Sequence, residues 1–289
     1  MRDRTRGPVR LIHRPVIIVG MPRTGSTMLF NALAQSPSVF TVGRESHGII
    51  GGIPGLPEAA RGYESSRLTA RDATEEVSRA LVTRFHGALR NRRGMRARKS
   101  VRMLEKTPRN ALRVPFLNAV FPDAFFLYLH RDPLATISSM LDAWRSGCMV
   151  TFPSLPGWTG LPWSMLLVAG WRELNGRPLA EIVTTQWATA TRILLDDLES
   201  LPPGRWGVTT YERLVAEPRL EIGRICALAG LEWDLPLSGR LPVSASALTP
   251  PDPAKMNRNR AALEVAASLI GEVAVRAGAV CRRGDQTES

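Results

Sequence analysis

Cysteine is nearly absent from this chain. Its three copies, Cys148, Cys226 and Cys281, are too few and too scattered for a disulfide framework or a metal-ligand cluster, which fits a reducing compartment. Long apolar runs are missing too: none approaches the ~20 residues that span a bilayer. The basic start, Met1-Arg-Asp-Arg-Thr-Arg, leads into no apolar signal core before Pro15. A chain without transmembrane segment or leader is expected in the cytoplasm. Acid is in short supply, with 26 Asp and Glu against 38 Lys and Arg and a net charge of +12. The deficit is sharpest from Arg84 to Arg113, where Glu105 is the sole acid. Such a run serves as a solvated basic surface, attracts a polyanionic ligand or acceptor, or binds nucleic acid. The chain has neither zinc-finger spacing nor an aromatic RNA-binding signature, so no nucleic-acid partner is expected.

What is present is a foldable core. Apolar residues make up 44% of 289, which excludes global disorder. Val16 to Val19 and Ala124 to Leu129 read as strands buried on both faces, Val101 to Leu104 as a short strand and Trp206 to Thr209 as a weaker one. Helices are expected over 26–35, 71–90, from Pro133 past Trp144, over 178–200, through most of 211–230, and over 261–280. Asp132 is the expected cap of the third, with Pro133 at its first position. Residues 41–69, 145–177 and 235–257 are rich in Gly and Pro and read as irregular. The alternation of strand and helix predicts an α/β fold, a three-layer α/β/α arrangement around a central, mostly parallel sheet. The expected organisation is a basic flexible arm over 1–13, one domain over 14–280 and a frayed tail over 281–289.

The stretch Gly20-Met-Pro-Arg-Thr-Gly25-Ser-Thr27 follows the first strand and opens the first helix. A glycine turn at a helix start aims backbone N–H groups and the positive helix end at one point, where an anion sits. The spacing is P-loop-like, G-x-x-x-x-G-K-[ST], but Ser26 stands where a nucleotide triphosphatase has lysine, and the cation comes earlier, at Arg23. Large aromatics also gather between residues 144 and 171. Trp144 and Trp187 fit helix faces of the core, whereas Trp158 and Trp163, between prolines and glycines, are better candidates for a pocket.

Four motifs occur in order: the Gly20–Thr27 loop, Glu105-Lys-Thr-Pro108, Tyr128-Leu-His-Arg-Asp-Pro-Leu-Ala-Thr-Ile-Ser-Ser139 and Val208-Thr-Thr-Tyr-Glu-Arg-Leu214. Together, over about residues 14 to 260, they resemble the sulfotransferases that use 3′-phosphoadenosine 5′-phosphosulfate (PAPS), and within them the bacterial and tyrosylprotein-type branch. The resemblance implies a P-loop-like fold and PAPS as donor, with no metal required. It implies that the backbone of Arg23, Thr24, Gly25, Ser26 and Thr27, with the hydroxyls of Ser26 and Thr27, holds the 5′-phosphosulfate. Arg131 and Ser139, eight residues apart, would bind the 3′-phosphate, and Tyr211 would pack on adenine. Lys255 and Arg258 would close over the 3′-phosphate. Arg23 and Lys106 would stabilise the leaving group, and Glu45 or His47 would take the acceptor's proton. His86 and His130 read as structural, and Glu105 as an anchor for Lys106. The implied acceptor is a small molecule or a carrier-bound group, a hydroxyl more than an amine, with an aromatic or apolar body. The lysine-free loop argues against the alternative, a P-loop kinase or nucleoside triphosphatase. A second alternative is a non-catalytic basic module that binds nucleic acid or membrane through Arg84–Arg113.

Overall fold

A computed structural model describes residues 11–236 and 254–286, with side chains described over 11–236 and 256–283. In chain order the elements are β1 (Val16–Val19), α1 (Ser26–Leu33), α2 (His47–Gly51), α3 (Glu75–Ala88), β2 (Leu104–Lys106), α4 (Val114–Val120), β3 (Phe125–His130), α5 (Pro133–Ser146), β4 (Val150–Phe152) and β5 (Trp163–Ser164). They continue with α6 (Leu179–Glu199), β6 (Trp206–Thr210), α7 (Tyr211–Ala216), α8 (Pro218–Ala229), α9 (Ala254–Arg258) and α10 (Arg260–Gln286).

β1 is four β-branched residues, all buried, and it pairs in parallel with β2 on one side and β3 on the other. β6 extends the sheet beyond β3, giving the order β2-β1-β3-β6. The two-residue period of a strand divides the sheet's side chains between two cores. Ile17, Val19, Phe126, Tyr128 and Val208 face a large core with Phe116 of α4, Met140 and Trp144 of α5, Leu194 of α6 and Ala277 of α10. Val16, Ile18, Leu104, Leu127 and Leu129 face a second core with Leu29 and Leu33 of α1 and Ile222 and Ile225 of α8. Helices therefore cover both faces of a parallel sheet, a P-loop-like three-layer α/β/α architecture. Burial of this kind stabilises each large apolar side chain by about 1.5–3 kcal/mol.

The path of the chain creates the cleft. From β1 it crosses through α1 to β2 at one edge. It then returns over the opposite face through α4 to β3 on the far side of β1. The reversal leaves a crevice beyond the C-terminal ends of β1 and β3, where ligands sit in open α/β sheets. Gly20 lets these ends converge, because a Cβ there would lie 2.5 Å from the Leu129 carbonyl oxygen.

Several elements depart from the sequence reading. Residues 41–69 contain α2 and a 3₁₀ turn at Glu58–Arg61. α3 begins four residues later than expected. Thr69 and Asp72 first close a 3₁₀ turn with reciprocal hydrogen bonds, and Thr74 then caps α3 by accepting from the Val77 N–H. β2 is Leu104–Lys106 rather than 101–104; Val101 and Met103 make isolated bridges to Ile12 and Phe40. Ile12 is thus packed against the body inside the span expected to be an arm, and α10 runs beyond residue 280. Residues 237–253 of the expected 235–257 loop lie outside the described residues, and α9 follows them.

The 145–177 segment folds back over α5 and α6 through the antiparallel β4–β5 ribbon. Gln186 of α6 pins it by donating to the Ser164 and Leu166 carbonyls at 3.0 and 2.7 Å. Trp163 is consequently sealed in the core, edge-to-face with Trp144, Trp158 and Trp171 at 5.3, 5.1 and 5.9 Å. It is not a pocket wall. Trp158 is half-buried in the same cluster, while Trp144 and Trp187 are core residues as their helical spacing predicts.

Candidate active site

The loop after β1 turns through two left-handed residues, Arg23 (φ 72°) and Gly25 (φ 90°), before α1 begins at Ser26. Thr24 stabilises the turn by donating its hydroxyl to the Met21 carbonyl at 2.8 Å. Gly25 is required on two counts. Its φ suits no side chain, and a Cβ would meet Cδ2 of Tyr211 at 2.6 Å. The first-turn N–H groups of α1, Ser26 and Thr27 are thereby presented at the cleft, where an anion is favoured.

Arg131 follows directly on β3. Its guanidinium donates to the Arg23 carbonyl at 2.9 Å and lies over the Tyr211 ring, 4.5 Å from the centroid. The Arg23 side chain in turn donates through Nε to Oγ of Ser139, on α5, at 3.2 Å. Asp132 caps α5 by accepting from the Ala135 N–H at 2.7 Å, and Pro133 opens its first turn, so Ser139 is carried to the cleft side. Burial pulls Arg23 below the ordinary arginine range, and the charge of Arg131 adds to this; Cys148 and Asp142 oppose it.

Lys106, at the end of β2, reaches the first turn of α1. Its Nζ donates to Thr27 Oγ1 at 3.1 Å and to Glu45 Oε1 at 2.6 Å. The cation missing from the loop at Ser26 is therefore supplied from the neighbouring strand. His47 Nε2 donates to the other Glu45 oxygen at 2.9 Å, and its Nδ1 is buried without a hydrogen-bond partner. Burial alone would raise the Glu45 carboxyl. The hydrogen bond from His47, with the charge and hydrogen bond of Lys106, outweighs burial and holds the carboxyl at about 2.

A buried network fixes this trio, and it runs through the alternate residues. Ser46 Oγ donates to Glu105 Oε1 at 2.7 Å, its N–H donates to Thr107 Oγ1 at 2.8 Å, and Asn110 Nδ2 donates to the same Glu105 oxygen at 3.0 Å. Glu45 and His47 face the cleft while Ser46 points in. Lys106 does likewise between Glu105 and Thr107. Glu105 is fully buried, and burial raises its carboxyl against the hydrogen bonds that favour ionisation. Nearby, Glu58 accepts from both Arg109 and Arg113, and burial draws Arg113 down to about 10.

The structure thus brings together Arg23, Thr24, Gly25, Ser26, Thr27, Glu45, His47, Lys106, Arg131, Ser139 and Tyr211. The Tyr211 ring is wedged between the loop and Arg131. Arg258 is exposed on α9, and the Lys255 side chain lies outside the described residues. Asn259, which no sequence signal singled out, pins α9 to α5 by donating to Ser138 Oγ at 2.9 Å and Asp142 Oδ1 at 3.1 Å. His130 is held beside Tyr128 at 3.1 Å and His86 beside the Lys99 carbonyl at 2.9 Å, both consistent with structural roles. Among the described residues there is no group of three or more His, Cys, Asp and Glu that could hold a metal ion.

A family model described as "Sulfotransferase family" matches residues 15–235. The chain is 25% identical over 221 residues to protein-tyrosine sulfotransferase A of Caenorhabditis elegans, covering 76% of this chain and 50% of that protein. It is 25% identical over 237 residues to the nodulation protein NoeE of Sinorhizobium fredii, covering 75% and 49%. The chain spans about half the length of these curated relatives. Among solved structures, a sulfotransferase from Alicyclobacillus acidocaldarius aligns with TM-score 0.48 and 16% identity over 90% of this chain and 96% of that one.

Proposed function

The chain belongs to the sulfotransferase family, and from that premise we propose that it moves a sulfuryl group from PAPS to a hydroxyl or amine of an acceptor. One observation carries the reading: the arginine after β3 touches the loop after β1, and that loop's arginine touches Ser139. The cations and N–H donors of both loops thus share one cleft, as binding of a nucleotide with phosphates on both its 3′ and 5′ sides requires.

In this reading the backbone of Arg23 to Thr27 and the hydroxyls of Ser26 and Thr27 hold the 5′-phosphosulfate, and Arg131 with Ser139 selects the 3′-phosphate. Tyr211 buttresses the loop and offers its remaining ring surface to adenine. Arg258, on α9, closes the 3′-phosphate side. The acceptor oxygen attacks sulfur in line. As the bond from sulfur to the bridging oxygen breaks, negative charge grows on that oxygen, and Arg23 and Lys106 stabilise it. The acceptor proton passes to Glu45, or to His47 beside it. The acceptor is a small molecule or carrier-bound group. Residues 14–280 act as one domain and the site of action is the cytoplasm, in keeping with three free thiols and with no described helix long and apolar enough to cross a membrane.

Calorimetric titration with 3′,5′-bisphosphoadenosine, 5′-AMP and ATP–Mg²⁺ tests the assignment. The bisphosphate is expected to bind at least about ten-fold more tightly than either, a gap of about 1.4 kcal/mol. Preference for ATP–Mg²⁺ would overturn it in favour of a kinase.

A further inference from the structure

Between Val77 and Leu104 the chain carries nine Arg and Lys residues and no acid. The proposed chemistry uses none of them. The structure sorts them by surroundings. Arg79 pairs with Glu75, Arg92 with Asp234, and Arg102 is buried against the carbonyls of Arg14 and Gly230. Arg90 donates to the carbonyls of Gly87 and Leu89. Arg84, Arg93, Arg96, Arg98 and Lys99 remain exposed, and none of them forms an ion pair among the described residues.

Four of these five sit on or beside a tight hairpin. Arg90 pairs antiparallel with Arg96, and Arg90 also pairs with Thr41. The Asn91 side chain accepts from the N–H groups of Arg93 and Met95, both at 3.0 Å, and Gly94 turns the tip at φ 76°. Leu89, at the root, is buried in the main core. Met95 at the tip is 54% exposed, an apolar side chain held in water among cations. Arg84 abuts Gly52, just past the end of α2. The Arg90–Thr41 bridge sets the hairpin beside the segment that leads to Glu45.

We propose that this hairpin is an electrostatic docking surface for an anionic lipid bilayer. A projecting cationic tip with one apolar side chain suits a soft, negatively charged surface, into which Met95 inserts while the arginines stay with the headgroups. Nucleic acid is a poorer fit, because the only Phe, Tyr or Trp between Val77 and Leu104, Phe85, is buried, and the His86 ring is tied to the Lys99 carbonyl. A folded protein partner is a poorer fit too, since the tip projects rather than offering a pocket for anchoring side chains.

Sedimentation of the full chain with phosphatidylcholine vesicles, with and without phosphatidylglycerol, tests the proposal. Binding is expected only with the anionic lipid and is expected to weaken as salt rises. Each cation removed should lower partitioning about five-fold, so Arg96→Gln, Arg98→Gln and Lys99→Gln combined should lower it about a hundred-fold. Arg96→Lys with Arg98→Lys should retain it, which separates charge from local structure. Met95→Ser should lower it at salt concentrations where the wild type still binds. Equal binding to neutral vesicles, no binding to either, an undiminished triple variant, or heparin or DNA outcompeting the vesicles would each overturn the proposal. Retained binding of 3′,5′-bisphosphoadenosine reports that each variant is folded.

Discussion

Arg131→Ala, read with two nucleotides, separates a phosphate contact from a structural one. Arg131 does two things in the structure: it donates to the Arg23 carbonyl at 2.9 Å and it covers the Tyr211 ring at 4.5 Å. Losing the hydrogen bond costs about 1 kcal/mol, and losing the ring contact at a partly exposed site costs about 0.5–1 kcal/mol. Both losses loosen the loop that holds the 5′ side, so they fall equally on 5′-AMP and on 3′,5′-bisphosphoadenosine. Each nucleotide is expected to weaken by about ten-fold from this source. A charge-assisted contact to the 3′-phosphate is worth about 1.5–3 kcal/mol more, and only the bisphosphate can lose it. The bisphosphate should therefore lose a further factor of about 10–150. Calorimetry on both proteins with both nucleotides closes a cycle whose coupling term is that factor. Equal losses for the two nucleotides would show that Arg131 acts only through Arg23 and Tyr211, and the 3′-phosphate assignment would be wrong. Arg131→Lys keeps the charge without the planar fork and should recover part of the coupling.

Three further outcomes follow from the same geometry. The Glu45 carboxyl is lowered from 4.5 to about 2, so its ion pair contributes stability above the unfolded value and loses it as pH falls from about 4.5 towards 2. The shift corresponds to at most about 3 kcal/mol, and solvent screening of a side chain one-third exposed reduces that to about 1–2 kcal/mol; urea melts should show a smaller loss between pH 6 and pH 3 for Glu45→Gln than for wild type, and equal losses would exclude the pair as the cause. Gly25→Ala combines a left-handed φ with a 2.6 Å approach to Tyr211, and it should lower stability by about 1–3 kcal/mol in thermal melts; adding Tyr211→Leu should recover the steric share alone, and an unchanged melting temperature for Gly25→Ala would refute the packing. Ser46→Ala strips a donor from buried Glu105, and it should cost about 1–3 kcal/mol of stability and reduce kcat with little change in the affinity for bisphosphoadenosine; wild-type kcat in that variant would show that the buried network does not position the site.

The electrostatics of the cleft imply an order of events. With Lys106 on one oxygen of Glu45 and His47 on the other, the carboxylate is too well stabilised to take a proton near neutral pH. Lys106 also touches Thr27, at the point where the loop offers its N–H groups to an anion. An anion arriving there competes with Glu45 for the same ammonium. Were Lys106 drawn to such an anion, Glu45 would lose the charge that helps hold its carboxyl low and would become a better base. If Lys106 stabilises the leaving oxygen and Glu45 takes the acceptor proton, the ion pair between them holds both groups back until an anion reaches the loop.

What the sequence revealed and what it concealed divide along a physical line. The loop after β1, the Asp132–Pro133 helix start and the eight-residue step from Arg131 to Ser139 are local patterns, and local stereochemistry makes them legible in a single chain. The burial of Val16–Val19 on both faces is legible for the same reason. The pairing of Glu45 with Lys106 spans 61 residues and depends on strand register, which composition does not report. The polar Glu105-Lys106 pair also disguised β2, since buried charge inside a strand runs against strand propensity and is tolerated only where a network satisfies it. Trp163 misled because aromatics between prolines and glycines look the same whether they line a cleft or close a core, and the deciding contact, Gln186 on α6, lies more than twenty residues on. Composition shows the Arg84–Arg113 run as one block of charge, although Arg102, Lys106 and Arg113 are buried and Arg96, Arg98 and Lys99 are not. Residues that would meet the donor declare themselves by type and spacing. Residues that hold them, such as Ser46, Thr107, Asn110 and Asn259, are ordinary polar side chains whose role comes from which strand or helix the fold lays beside them.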